Sequence, residues 1–267
     1  MIRSATKIGP GTTAVVTGAA GGLGQALSRA LEGRGAKVVR TDIRGAVGVD
    51  RVLDVTDPVA VRELAAELVP QIWVNNAGVL GVAGALGQSD EEIRRVVDVN
   101  LLGVVHGSRA AAAMVDRGGG VILNIGSLAA WNPTPGLAVY SATKHAVRAY
   151  SGALAAELSG TGVRVLCLCP DGIWTPMLKD AVTSDAAAMP FSGRRLLEPV
   201  EVAEAAMNLL DGRRLVRSLP QGRAVLAKMS GLWPALGVAT RRTTERQGRR
   251  HQARYRDRLA GEESGGR

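Results

Sequence analysis

The chain has 267 residues, a net charge of +9 and 46% hydrophobic residues, but only 3% aromatics. That length suits one large domain with a sizeable core, built here from Ala, Val, Leu and Ile. No apolar run reaches the ~18 residues of a spanning helix, and the first residues lack the charged-then-apolar layout of a signal peptide. Cys167 and Cys169 are the only cysteines. They sit two apart on an expected strand, too close for an ordinary disulfide and without metal-site company, and read as reduced core thiols of a cytoplasmic protein. The charge is uneven. Residues 241–267 hold nine arginines against Glu245, Asp257, Glu262 and Glu263, so the basic balance belongs to a tail.

In chain order, a short lead-in (1–11) precedes a buried strand in TTAVVTG (12–18). GLGQALSRALEGRG (22–35) carries a helical apolar stripe stopped by glycines, and AKVVRTDI (36–43) is the next strand. A third strand lies within 49–57. Asp57 as N-cap and Pro58 open a helix to 68, and QIWVNNAG (71–78) is the fourth strand. A long helix capped by Ser89 or Asp90 runs over 89–118. Strands at 119–127 and 163–170 bracket a second long helix, 140–160. A helix over 199–212 and a short strand in GRAVLAK (222–228) complete the body. Strands alternating with helices predict an α/β fold: a doubly wound parallel β-sheet with helices on both faces, three layers α/β/α. The expected division is one domain over 1–239 and a basic, flexible tail over 240–267, a solvated and partly helical or disordered extension.

TGAAGGLG (17–24) lies at the first strand-to-helix junction. Its glycines let the backbone turn sharply toward a pyrophosphate, and the following helix N-terminus offers free N–H groups and a favourable dipole. The spacing is G-x3-G-x-G, not the G-x-G-x-x-G fingerprint. Asp42 ends the second strand, where a carboxylate accepts hydrogen bonds from an adenosine ribose and repels a 2′-phosphate. This favours NAD over NADP, with Arg40 and Arg44 as the competing phosphate ligands. Tyr140 and Lys144 are one helical turn apart, and Ser127 ends the strand before them. An ammonium near a phenol favours phenolate, and a serine hydroxyl can hold a carbonyl or alcohol oxygen beside it, which suits C=O/CH–OH interconversion.

Taken in order over roughly residues 12–210, these motifs resemble the short-chain dehydrogenase/reductase family, which has a Rossmann-type fold. TGAAGGLG matches its cofactor turn, with Thr17, Gly18, Gly22, Leu23 and Gly24 as cofactor residues. Asp54 and Val55 match the pair facing the adenine. NNAG (75–78) supplies Asn76, Ala77 and Gly78. PDGIWTPM supplies Pro170, Ile173 and Thr175 beside the nicotinamide. The resemblance implies Tyr140 as acid/base, Lys144 as the group that lowers its pKa and binds the nicotinamide ribose, and Ser127 as the orienter of the substrate oxygen. Asn100 would hold a relay water. Asp171 stands where the family has glycine. The chain from Asp57 to Val74 is shorter than usual, and residues after 212 lack the last-strand ending that commonly builds a tetramer. A homodimer through 89–118 and 140–160 is the expected assembly.

Residues 177–198 occupy the family's substrate-loop position. Met177, Leu178, Met189, Phe191, Leu196 and Leu197, with Trp131 and Trp174 flanking the mouth, suit a hydrophobic alcohol or ketone of steroid-like, terpenoid or aliphatic type. His106 and His145 read as structural. SGLWPALGV (230–238) caps the mouth, makes a dimer contact or touches a membrane. The alternatives to an enzyme are a catalytically silent cofactor-binding sensor or scaffold, and a nucleic-acid or membrane-surface binder acting through the basic tail.

Overall fold

The structure is a computed structural model that describes residues 8–84 and 86–264. Most of the lead-in and Arg267 of the tail lie outside the described residues. Seven strands, all parallel, form one sheet: β1 (Thr13–Thr17), β2 (Lys37–Asp42), β3 (Arg51–Val52), β4 (Ile72–Asn75), β5 (Gly120–Ile125), β6 (Val163–Pro170) and β7 (Val216–Leu219). Their order is β3-β2-β1-β4-β5-β6-β7. The order reverses between β1 and β4, which opens a crevice at the strands' carboxyl ends.

Both faces of the middle of the sheet are covered, so β1, β4, β5 and β6 are near-continuous apolar runs. On one face α1 (Gly22–Glu32) and α7 (Pro199–Asp211) bury Leu27, Leu31, Val202 and Leu210 against Ala14, Val16, Val74 and Leu123. On the other, α2 (Pro58–Leu68) and the end of the helical run over 90–115, through Ala110, Ala111 and Met114, cover Val15, Val39, Trp73 and Ile122. Asp57 caps α2, its carboxylate accepting from the Val59 and Ala60 amides, and Ser89 caps α3 (Asp90–Val97) by accepting from Glu92.

The helical run over 90–115 is not uniform. After α3 comes a π-turn, Asp98–Leu102, then α4 (Gly103–Ala110) and a 3-10 turn, Ala111–Val115. π-turns inside helices are rare and concentrate at functional sites. This one carries the buried Asn100. Next come α5 (Ala138–Glu157), α6 (Pro176–Lys179), α8 (Gln221–Leu232) and α9 (Pro234–Ser264).

Two expectations are corrected. Residues 222–228 are helical, inside α8, and the strand lies earlier at Val216–Leu219. Cys167 and Cys169 of β6 pair there with Val216 and Ser218. The tail, read as a solvated, partly helical or disordered extension, is one continuous helix through Ser264. The boundary expected at 239/240 falls inside α9, whose middle is docked on the 181–197 loop. Gln252 donates to Ser184 O at 2.8 Å, Leu196 N donates to Tyr255 Oη at 2.7 Å, and Arg256 donates to Val182 O at 3.0 Å. The small and polar side chains at this contact explain why no apolar stripe announced it.

Candidate active site

The glycine turn after β1 depends on close backbone approach. Gly18 has φ +64°, and a Cβ there would lie 2.7 Å from Ala77 Cα; one on Gly24 would lie 2.3 Å from Gly18 O. Asn76 secures the turn from β4 by donating to Thr17 O (2.9 Å) and Gly18 O (3.1 Å). Thr17 Oγ1 in turn accepts from the Asn76 and Ala77 amides. No side chain caps α1 at Gly21, so its first N–H groups point into the crevice unshielded. Thr175 stands opposite, 3.3 Å from where a Gly22 Cβ would be. Asp42 closes the far end, its carboxylate accepting from Ala20 N at 3.0 Å and Arg44 N at 3.3 Å. Arg40 is held away from the crevice by Glu32 and Asp50.

Ser127 ends the loop after β5 and caps a 3-10 turn, Leu128–Ala130, accepting from Ala129 N at 3.1 Å. It hydrogen-bonds with Tyr140. Lys144, one turn along α5, is buried; its Nζ donates to Ile125 O at 3.0 Å and lies 5.6 Å from the Tyr140 ring. Asn100 closes on the backbone of Val79, accepting from its N (2.8 Å) and donating to its O (2.9 Å). Gly78 keeps that corner open: a Cβ on it would sit 3.2 Å from Asn100 Oδ1 and 4.0 Å from Lys144 Nζ.

The electrostatics differ from the sequence expectation. Burial raises the Tyr140 phenol above its ordinary 10.0. The Ser127 hydrogen bond pulls it back in part and Cys169 adds to the rise. Burial also brings Lys144 down to about 8, opposed by the neighbouring Cys167 and Cys169. With its pKa raised by burial, the phenol is neutral at pH 7, the form that donates a proton. Lys144 carries a linkage signature. Its folded value lies below its ordinary 10.5, so between about pH 8 and 10.5 the unfolded chain binds more protons and stability rises with pH. Relative to Lys144→Met, wild-type stability in urea should grow across that window by on the order of 3 kcal/mol. A flat difference would show that Lys144 is not desolvated.

One cleft of about 2430 Å³ joins these parts. That is several times the ~300–1,000 Å³ of a drug-sized pocket, so it has room for an extended dinucleotide and a second molecule. Gly18, Gly22, Leu23, Gly24, Asp42, Asp54, Val55, Asn76, Ala77 and Gly78 line it, as do Ser127, Tyr140, Lys144, Pro170, Ile173, Thr175 and Met177. Four expected residues do not. Thr17 lies beneath the turn and Asn100 lies behind Val79. Trp131 turns away to donate to Ser218 Oγ (3.1 Å) and stack against Arg148 and Lys228. Trp174 is buried against Tyr255, 5.0 Å between ring centres, with Lys179 and Arg258 over its face. Phe191, Leu196 and Leu178 join that cluster, and Leu178, Met189 and Leu197 reach the cleft.

Asp171 neither faces solvent nor stands free beside the cleft. It forms a 2.5 Å ion pair with Arg223 of α8, which also donates to Ser192 Oγ. Burial raises its carboxyl, and Arg223 opposes that rise. Ser230 and Val238 of the segment expected to cap the mouth do line the cleft, but Arg223, Met229, Thr240, Arg241, Thr244 and Gln247, which extend this wall along α8 and α9, were not expected from the sequence. The available signal was the apolar SGLWPALGV segment. His106 and His145 bond to the backbone carbonyls of Val55 and Ser141.

The family described as short chain dehydrogenase matches residues 12–186. The chain is 38% identical over 226 residues to 1-deoxy-11-beta-hydroxypentalenate dehydrogenase of Streptomyces avermitilis, covering 76% of this chain and 82% of that protein. It matches the probable oxidoreductase EphD of Mycobacterium tuberculosis over only 31% of that protein's length, at 38% identity. The 3-ketoacyl-(acyl-carrier-protein) reductase of Brucella melitensis complexed with NADH superposes with TM-score 0.68 at 29% identity, covering 80% of this chain and 99% of that one. A short chain dehydrogenase of Burkholderia cenocepacia in complex with NADP gives 0.75 at 27%, covering 88% and 99%.

Proposed function

The chain belongs to the short-chain dehydrogenases, oxidoreductases that act on CH–OH groups with a nicotinamide cofactor, and from that premise we propose its finer chemistry: NAD-linked interconversion of a hydrophobic secondary alcohol and its ketone, with Tyr140 handling the proton. The observation that carries this reading is convergence. A serine, a half-buried tyrosine and a buried lysine face the same cleft as an uncapped helix N-terminus and the Asp42 carboxylate.

The residues fit a dinucleotide. The glycine turn leaves a cradle that side chains would fill, and α1 presents unbonded amides for a pyrophosphate. Lys144 would hold the nicotinamide ribose, and Pro170, Ile173 and Thr175 would border the ring. When bound, such a cofactor supplies the hydride donor or acceptor; the other tasks fall to the chain. Ser127 would donate to the substrate oxygen and fix it beside Tyr140 Oη. In reduction the neutral phenol would give that oxygen its proton; in oxidation the phenolate would remove it. Asn100 would act as a positioning residue, holding the Val79 backbone and the corner through which Lys144 reaches water.

Asp42 at the ribose position, with Arg40 engaged by two carboxylates, supports NAD. Met177, Leu178, Met189, Met229 and Val238 in the cleft wall support an apolar substrate, as does likeness to a hydroxypentalenate dehydrogenase. A homodimer through the α3–α4 and α5 faces is part of this reading: α3 and the π-turn pack beside α5, and Leu102 at the end of that turn is an exposed large apolar side chain.

The test is a screen of steroid, terpenoid and aliphatic alcohols with NAD and NADP, together with cofactor affinities. Asp42→Ala should erode the preference for NADH over NADPH by at least ~10-fold, about 1.4 kcal/mol. Tighter NADPH binding by the wild type would reverse the cofactor assignment. Cofactor binding without turnover of any alcohol or ketone would point instead to a sensor.

A further inference from the structure

Most surface helices bury large apolar residues and expose small or polar ones. α8 does the reverse. Its inward face is Ala224, Ala227 and Gly231, and Gly231 packs so closely on Trp131 that a Cβ would lie 2.1 Å from its carbonyl oxygen. Its large residues point outward. Val225, Leu226, Met229, Leu232 and Trp233, with Val238 of α9, are between 42% and 74% exposed. Leu226, Met229 and Val238 also line the cleft, so the rim of the site is apolar and open. Contiguous exposed apolar surface of this kind marks an interaction site.

α9 adds charge to it. Thr244, Gly248, Gln252, Tyr255 and Leu259 form its docked side. At 100° per residue, Val238, Arg242, Arg246, Arg249, Arg250 and Arg254 fall within about 160° on the side away from it. Arg241, Arg256 and Arg258 have ion-pair partners in Glu245, Asp185 and Glu198. The five outward arginines have no carboxylate partner among the described residues.

We propose that this outer surface of α8 and α9 docks on an anionic phospholipid bilayer, so that the rim of the cleft meets the membrane. The side chains match that occupant in two ways. Leu232, Trp233 and their neighbours would enter the headgroup–acyl boundary, and the arginines would pair with lipid phosphates. A second copy of the chain is disfavoured by charge, because a two-fold contact sets the same basic face against itself. Nucleic acid would use the arginines but leave six apolar side chains unexplained. No helix among the described residues is long and apolar enough to cross a membrane, so the docking is peripheral. It does not depend on the substrate assignment, since the test needs no turnover.

The experiment is co-sedimentation of the full chain with vesicles of phosphatidylcholine containing one third phosphatidylglycerol, and with phosphatidylcholine alone. Binding is expected only to the anionic vesicles, and high salt should weaken it at least ~10-fold. Leu232→Glu with Trp233→Glu should abolish it. Arg246→Gln with Arg250→Gln should reduce it at least ~10-fold. All four positions are exposed, so folding is preserved. Absent binding to anionic vesicles, or equal binding to neutral ones, overturns the proposal. So does a dimer that Leu232→Glu with Trp233→Glu converts to monomer, or nucleic-acid binding that only the arginine changes abolish.

Discussion

Replacing Tyr140 by Phe should lower turnover of the substrate by about 10²–10⁴-fold, the range expected when one positioned acid/base is removed. NADH affinity should stay within about threefold, because the change removes one oxygen and leaves the cradle intact. Folding should be preserved for a physical reason. The lost oxygen is hydrogen-bonded with Ser127, which keeps its bond from Ala129 N. A phenyl ring in place of a desolvated phenol costs little when the partner remains satisfied. The measurement is steady-state turnover alongside NADH fluorescence titration. Wild-type turnover in the variant would remove Tyr140 from the chemistry. Loss of NADH binding together with turnover would give it a structural role instead.

The second large effect is expected at Gly248, far from the phenol. A Cβ there would sit 2.0 Å from Ala188 O and 2.8 Å from Ala188 C, both backbone atoms that cannot swing aside. Gly248→Val should therefore lift α9 from the 181–197 loop and lose stability by about 3 kcal/mol. Lifting the helix would break the hydrogen bond from Gln252 to Ser184 O and separate His251 Nδ1 from Gly193 O, now 2.7 Å apart. Met189, Thr244 and Gln247 line the cleft beside this joint, so KM for the substrate should rise while NADH affinity holds. Gly261→Ala, where nothing lies within 4 Å of the new methyl, is the control and should be neutral or slightly stabilising. Urea unfolding and KM measured together decide the matter. An unchanged pair in Gly248→Val would show that α9 does not hold the loop.

The middle of the sheet was legible in the sequence because a parallel strand buried on both faces must be a short apolar run, and β1, β2, β4, β5 and β6 contain such runs between helical stretches; the half-buried VRSL of β7 carries no such run, and the last strand was expected at 222–228 instead. The convergence of Ser127, Tyr140 and Lys144 was legible too, since a strand end and one helical turn dictate it. Side chains leaving loops were not. Trp131 and Trp174 stand next to the site in sequence, but the 3-10 turn after Ser127 sends Trp131 toward α8, and Trp174 faces α9. α8 reads as a strand because its large apolar residues face out, which scrambles the amphipathic pattern. The weight of arginine hid a docked face in α9 made of Gly248, Gln252 and Tyr255. Asp171 could be flagged as unusual, but its partner Arg223 lies 52 positions along the chain, beyond any local pattern.

The π-turn at Asp98–Leu102 has a consequence for how this helix tolerates change in length. A π-turn is one residue more than an α-helix needs, so it sets α3 and α4 out of phase by about 100°. Deleting one residue from 98–102 would leave a regular helix of undiminished helical content. It would also rotate Gly107 and Ser108 off Asn75, whose side chain donates to Ser108 Oγ (3.1 Å) and Asn124 Oδ1 (2.8 Å). The alternative rotation would swing Val96 out of its buried place. The extra residue acts as a phase shifter: one half of the helix can be tuned to Val79 and the cleft, and the other to the polar knot in the core.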